Sequence, residues 1–277
     1  MKTMMMTLAI AALAPVIAQD IYLPLPTKHG GVTLMQALSE RKSTRDFQAR
    51  EVSLEQLSSL LWAANGINRA DGRRTAPTGR NVQDIDVYVM KQSGVYRYDA
   101  SANKLIAVNL GDHRAAAGKQ DFAKVCPLTL VYVQRLDKAM SADEVNTARH
   151  GGIHTGAIMQ NVYLFCAKEK LATVARDYID RPALAAALKL GNNERIMLAQ
   201  SVGYPLADGR IGAEAAKRIA LNHANLAENQ VRKLRVERDR EDGVRVYEVE
   251  FESGAFEYDY EIDAQTGTIR KAKKERD

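Results

Sequence analysis

Two short segments carry side chains suited to holding an anionic, planar ligand. Arg41-Lys42-Ser43-Thr44-Arg45-Asp46-Phe47 places two arginines, a lysine and a serine close together. A phosphate-bearing cofactor needs fixed positive charge, a fork of N–H donors and a hydroxyl, and this segment offers all three. A solvated basic cluster at a helix end has the same composition. Further on, Ala76-Pro77-Thr78-Gly79-Arg80-Asn81-Val82-Gln83 supplies a hydroxyl, a glycine and side-chain amides in a polar loop before a strand. Such a loop can aim hydrogen bonds at a heterocycle edge, or can be an ordinary turn. His150-Gly151-Gly152-Ile153-His154 sets two histidines four apart. A zinc site needs a third protein ligand, which the segment lacks, so a structural or substrate-side role is expected. The chain has no Ser-His-Asp pattern, no P-loop and no G-x-G-x-x-G.

The elements that position these residues show in the spacing. Thr33 with Gln36 forms a capping-box pattern, and Leu34, Met35 and Leu38 give that helix an apolar side. Ser53 with Gln56 opens a second helix through Leu57, Leu60, Leu61 and Ala64, closed by Gly66. Asp86 to Lys91 reads as a strand, Gly94 to Leu105 as a hairpin, and Pro127 to Gln134 as a central strand. Ser141 with Glu144 caps a further helix. A long helix covers Ile153 to Glu169, and Ala183 to Leu190 and Glu194 to Gln200 read as helical. The mixture implies an α+β or α/β layered fold. After Pro205 the pattern changes. Ala213 to Ala224 is helical, then Tyr247-Val249-Phe251 and Tyr258-Tyr260-Ile262 alternate with acidic residues, as in strands with one apolar and one acidic face.

The 277 residues carry a net charge of +5 and are 46% hydrophobic, which suits a core-forming protein and excludes a strongly basic nucleic-acid binder. At the N-terminus Lys2, the apolar run Met4 to Ala14 and the small residues before Gln19 form a signal-peptide pattern cleaved after Ala18. The run is too short for a bilayer, which takes ~20 residues, so no membrane span is expected after cleavage. Secretion, or export to a periplasm, makes a Cys126–Cys166 disulfide possible. Cys126 in a strand-like run and Cys166 on a helix equally suit buried thiols.

Taken together, Arg41-x-Ser43-x-Arg45-x-Phe47 and Pro77-Thr78-x-x-Asn81-x-Gln83 resemble two motifs of the nitroreductase family, with Thr78 in place of a serine. Gln160-Asn161-Val162-Tyr163-Leu164 with Ala167 and Leu171 is similar to a third, with Lys170 where that family has glycine. Val202-Gly203-Tyr204-Pro205 is similar to its closing strand. Leu61-Trp62-Ala63-Ala64-Asn65-Gly66 and Arg74-Thr75-Ala76-Pro77 resemble the SagB-type dehydrogenase branch. The resemblance covers about residues 27–207. It implies an α+β, nitroreductase-like three-layer sandwich that binds FMN non-covalently in a site built by two subunits of a homodimer. Arg41 and Ser43 would hold the phosphate and ribityl chain, with Lys42 beside them. Arg45 would face the pyrimidine edge, and Thr78, Asn81 and Gln83 would serve the ring edge or ribityl oxygens. Arg210 is the candidate for a late basic phosphate ligand. Backbone around Ala175 to Tyr178 would lie near the reactive ring nitrogen, although the family's P-x-x-G segment is absent.

Asp239-Arg240-Glu241-Asp242-Gly243, the two alternating strands and Thr266-Gly267 resemble a PepSY domain over about residues 213–274. The expected organisation is a signal peptide over 1–18, an FMN-binding domain over 19–209 and a PepSY-like α+β domain over 210–277. The expected function is an exported FMN-dependent oxidoreductase acting on a small conjugated substrate, nitroaromatic or quinone-like. The SagB-type likeness offers peptide-heterocycle dehydrogenation instead. A non-catalytic flavin- or ligand-binding protein acting through its PepSY-like domain is the third reading. That domain's acidic face is the expected site for a protein partner. No nucleic-acid partner and no metal are expected.

Overall fold

A computed structural model describes residues 19–206, 211–241 and 243–276. The signal-peptide pattern and Arg210 lie outside the described residues. Two sheets organise the chain. The larger has seven strands in the order β1-β4-β3-β2-β5-β7-β6, each pair antiparallel. These strands are β1 (Ile21–Tyr22), β2 (Ile85–Lys91), β3 (Gly94–Asp99), β4 (Lys104–Leu110), β5 (Leu128–Arg135), β6 (Ala172–Arg176) and β7 (Glu194–Gly203).

Strand periodicity sorts the side chains into two layers. Val87 and Val89 of β2 and Leu128, Leu130 and Tyr132 of β5 face α2 (Leu54–Asn65) and α4 (Glu144–Glu169), packing on Leu57, Leu61, Ile158 and Val162. Their neighbours Tyr88, Met90, Val131 and Val133 face the other way, against Leu184, Ala187 and Leu188 of α5 (Arg181–Leu188). The result is a helix–sheet–helix sandwich, as the resemblance implied. The short helices α1 (Leu34–Glu40) and α3 (Asp121–Val125) lie beside it.

Local signals explain most boundaries. The Thr33–Gln36 capping box is formed, and Ser53 Oγ accepts the Gln56 N–H. Two readings need correction. Glu194 to Gln200 is not a helix but most of β7, paired on both sides. Its helix-forming composition yields to burial between β5 and β6. The separate helices read on either side of Gly151-Gly152 are one helix, α4, capped by Asp143 rather than Ser141. Gly151 is needed there, since a Cβ would lie 2.5 Å from the Gln134 side chain of β5. The apolar side read for α1 points outward: Leu34 is 64% and Met35 73% exposed. Cys126 and Cys166 are free and buried, with their thiols pushed up in pKa by that burial. No helix among the described residues is long and apolar enough to cross a membrane.

The second sheet has the order β11-β10-β9-β8, from β8 (Arg232–Glu241), β9 (Val244–Ser253), β10 (Phe256–Asp263) and β11 (Ile269–Arg276). Its apolar face packs on α6 (Ala213–Ala224), with fully buried Phe251 stacked on Tyr258 at 4.9 Å. The opposite face carries the acidic residues. Lys271 reaches both Asp259 and Glu261 at 2.9 Å. Partial burial and surrounding carboxylates push the Glu248 carboxyl up.

α4 ends at Lys170 in the left-handed region, φ 56°, where side chains are disfavoured. Lys170→Gly is therefore expected to raise stability by about 0.5–1 kcal/mol, the relief of backbone strain less glycine's entropy cost, read as a higher urea midpoint.

Candidate functional site

Residues 41–48 have no regular structure of their own and are positioned by the sheet edge. β6 is the last strand of its sheet, so its outer backbone groups need partners. The Thr44 N–H donates to Thr173 O at 2.9 Å, and Gln48 is tied to Tyr204 O and Pro205 O. Phe47 bridges Pro205, and its ring lies 6.2 Å from Phe122.

Above that edge, α4 supplies Tyr163. Its hydroxyl accepts the Ala175 N–H of β6 at 2.9 Å and shares a 2.9 Å hydrogen bond with Ser43 Oγ. The Arg41 guanidinium stands over the Tyr163 ring, 5.3 Å from its centre. Arg41, Ser43, Tyr163 and the start of the Ala175–Tyr178 backbone thus meet in one place. Lys42, Ser43, Arg45 and Tyr163 line a cavity of about 1290 Å³ that extends to α6 and the β10–β11 turn. That exceeds the usual ~300–1,000 Å³ of a ligand pocket. Arg41, Lys42, Ser43 and Arg45 are exposed.

The second segment is built differently. Arg80, Asn81 and Gln83 all have positive φ, near 50°. The shape is imposed from α4 and β2. His154 Nε2 accepts the Gly79 N–H at 2.9 Å, and His154 Nδ1 donates to Asp84 Oδ1 at 2.7 Å. Asp84 Oδ2 also accepts from Gln134 Nε2 at 3.0 Å. The buried His–Asp pair fixes one tautomer, with its free nitrogen aimed at the loop. Gln83 is committed within the loop: it donates to Gly72 O and Asn81 Oδ1, and accepts from Arg74 Nε. Thr78 Oγ1 accepts the Gln83 N–H. Asn81 is exposed and keeps its side-chain donors.

Among the described residues no hydrogen bond or ion pair joins the two segments. His154 and Tyr163 are nine residues apart on α4. At 3.6 residues per turn that is ~180° of rotation and ~13.5 Å of rise, so they project from opposite faces. Before Tyr163, the side of α4 in line with it is bare, as is the flank at Ile153. Val145 is 74% and Ile153 59% exposed, and a Cβ on Gly152 or Gly156 would meet nothing within 4 Å.

Three residues escaped the sequence reading as site components. Tyr163 sits inside a quoted motif, but its contact to Ser43 spans 120 positions. His154 was visible in its pair with His150 as a structural or substrate-side residue, but the loop it anchors lies 75 positions away. Arg218 of α6 lines the cavity from the second domain, and no local pattern marks it. Burial pushes the Asp46 carboxyl up, opposed by Arg218, the Gly212 N–H and Arg45.

Comparison with known proteins accounts for both sheets. Residues 38–204 match the nitroreductase family and residues 210–273 the peptidase propeptide and YPEB (PepSY) domain. A solved structure from Ralstonia eutropha JMP134, assigned as a nitroreductase, is 36% identical with a TM-score of 0.65. The alignment covers 72% of this chain and 97% of that one. A Methanocaldococcus jannaschii protein assigned to the same class is 26% identical over 154 residues, 52% of this chain and 78% of the relative. The E. coli microcin synthetase McbBCD complex, solved with truncated pro-MccB17 bound, is similar in fold, with a TM-score of 0.52 and 18% identity. That match covers 65% of this chain and 77% of that one. The chain belongs to the nitroreductase family and carries a PepSY domain after the family's fold.

Removing the loop anchor tests the site's construction. His154→Ala is expected to speed amide exchange at Gly79 and Val82 and to cost about 1–3 kcal/mol, because Asp84 and the Gly79 N–H lose their partner. Unchanged exchange in that loop would show that it holds its own shape.

Proposed function

We propose that this protein is an FMN-dependent oxidoreductase acting on a small conjugated substrate, nitroaromatic or quinone-like, at a site completed by a second copy of the chain. Proteins of this family typically bind FMN, commonly form dimers and act on small molecules. The observation that carries the reading is the convergence of Arg41, Ser43 and Tyr163 on the open edge of β6, with Arg45 on the cavity beside them. This donor set fits a phosphorylated flavin: guanidinium groups for the phosphate, hydroxyls for the ribityl oxygens and a cation for the pyrimidine edge. When bound, the flavin supplies hydride transfer, so no side chain has to act as a general base.

The chain's residues then bind and orient. Arg41, Lys42 and Ser43 serve the phosphate and ribityl end, and Arg45 places positive charge at the pyrimidine edge. Asn81 and Thr78 come from the partner, since the rotation along α4 turns them away from Ser43 in the same chain. Gln83 shapes the loop. The bare stripe of α4 and the outward side of α1 form the surface on which the second copy docks. PepSY domains occur in extracellular or periplasmic proteins, which supports the exported reading from residues 1–18. Outside the cytoplasm the electron donor is a redox protein or quinol rather than a nicotinamide.

Purified protein should be yellow and release flavin on denaturation. Arg41→Ala and Asn81→Ala are each expected to weaken FMN binding by about 1.5–3 kcal/mol, one to two decades in fluorescence titration. Unchanged titrations in both variants would remove the assignment. Light scattering should give a dimer, and Ile153→Asp should yield a monomer that binds flavin poorly. A wild-type monomer with flavin fully bound would overturn the shared site.

A further inference from the structure

One buried phenol seats two of the groups that the basic segment offers to a ligand. Tyr163 is 7% exposed, and its oxygen is held from two sides. The Ala175 N–H of β6 donates to it at 2.9 Å, and Ser43 Oγ lies 2.9 Å away. An N–H can only donate, so one lone pair of the phenol is taken. The phenol's own proton then needs an acceptor. Among the described residues, Ser43 Oγ is the one within hydrogen-bond distance. Tyr163 therefore donates to Ser43. The face of the same ring carries the Arg41 guanidinium, 5.3 Å from its centre. No hydrogen bond or ion pair ties that guanidinium to another described residue.

The direction of that bond decides what Ser43 can do. A serine hydroxyl has one proton and two lone pairs. With one lone pair occupied by Tyr163, the proton stays free for a ligand. If Ser43 donated to the phenol instead, it would turn its lone pairs to the ligand. A phosphate monoester carries a charge of about −1.5 to −2 and three acceptor oxygens. It is attracted by the first arrangement and repelled by the second. A ribityl hydroxyl both donates and accepts, so either arrangement satisfies it. We propose that Tyr163 is a positioning residue that fixes Ser43 as a hydrogen-bond donor to the phosphate, so that the site selects a phosphorylated flavin over the unphosphorylated one. This role rests on the flavin reading above and narrows Ser43 from the phosphate and ribityl end to the phosphate itself. The phenol is carried by α4 and held by β6, two regular elements. The serine rotor is therefore set before a ligand arrives, which lowers the cost of ordering it.

The experiment uses the full-length protein, freed of flavin and titrated with FMN and with riboflavin by fluorescence. Tyr163→Phe keeps the ring, and with it the seat of Arg41, but removes the proton given to Ser43. It is expected to weaken FMN binding by roughly 10-fold and riboflavin binding by no more than about 2-fold. Ser43→Ala should show the same selective loss. The double variant should bind FMN no more weakly than Ser43→Ala alone, because Tyr163 acts through that serine. A purely structural role for Tyr163 would lower both ligands together. Equal losses for FMN and riboflavin in Tyr163→Phe, or losses that add in the double variant, would overturn the proposal. If Tyr163→Phe is too unstable to titrate, Ser43→Ala decides: an FMN-to-riboflavin ratio equal to the parent's overturns the donor role. Arg41→Ala separates the two levels of argument. If Arg41→Ala and Ser43→Ala both leave FMN affinity unchanged, the flavin assignment of this segment is wrong. If both weaken FMN while Tyr163→Phe keeps the parent's ratio, only the role of Tyr163 is wrong.

Discussion

An open sheet edge governs the rest of this structure. β6 closes the seven-stranded sheet, and its outer backbone groups must be satisfied by something other than another strand. The chain uses the irregular segment after α1, through Thr44, and a tyrosine hydroxyl from α4, through Ala175. Those substitutes for a strand bring a basic, hydroxyl-bearing stretch against a rigid edge. The side chains around them stay exposed because the backbone has already been served. A strand added at the same edge would have buried the position where a ligand can lie.

α4 distributes the remaining parts. Its 26 residues run along the sheet, with Tyr163 on one face and His154 on the other. One helix thus touches both segments identified in the sequence, from faces half a turn apart. The glycines that lighten it have separate effects. Gly151 admits the Gln134 side chain, and Gly152 and Gly156 leave the outer face bare.

Much of this was legible in the residues, and the exceptions have physical causes. Capping at Thr33 and Ser53 and the alternation in β9 and β10 are local patterns, and each survives in the structure. β7 was misread because Glu194 to Gln200 is composed for a helix, and only pairing with β5 and β6 overrides that preference. The apolar side of α1 is plain in its composition, but that this side is turned outward is not written in any local pattern. The pairing of Ser43 with Tyr163, and of Gln48 with Pro205, joins residues more than a hundred positions apart. No spacing rule reaches that far.

The loop that carries Asn81 also bears on how freely this sequence can drift. Arg80, Asn81 and Gln83 occupy a backbone region that costs most side chains about 1–2 kcal/mol each, and asparagine least. The conformation persists because Gly79 is held by His154, and because Gln83 locks onto Gly72 and Arg74. Mutational tolerance in these few positions is therefore set by residues distant in sequence. β-branched replacements at 80, 81 or 83 are closed to the chain while its anchors stand. If His154 were lost, the same positions would accept nearly any residue, at the expense of the shape that gives them a use.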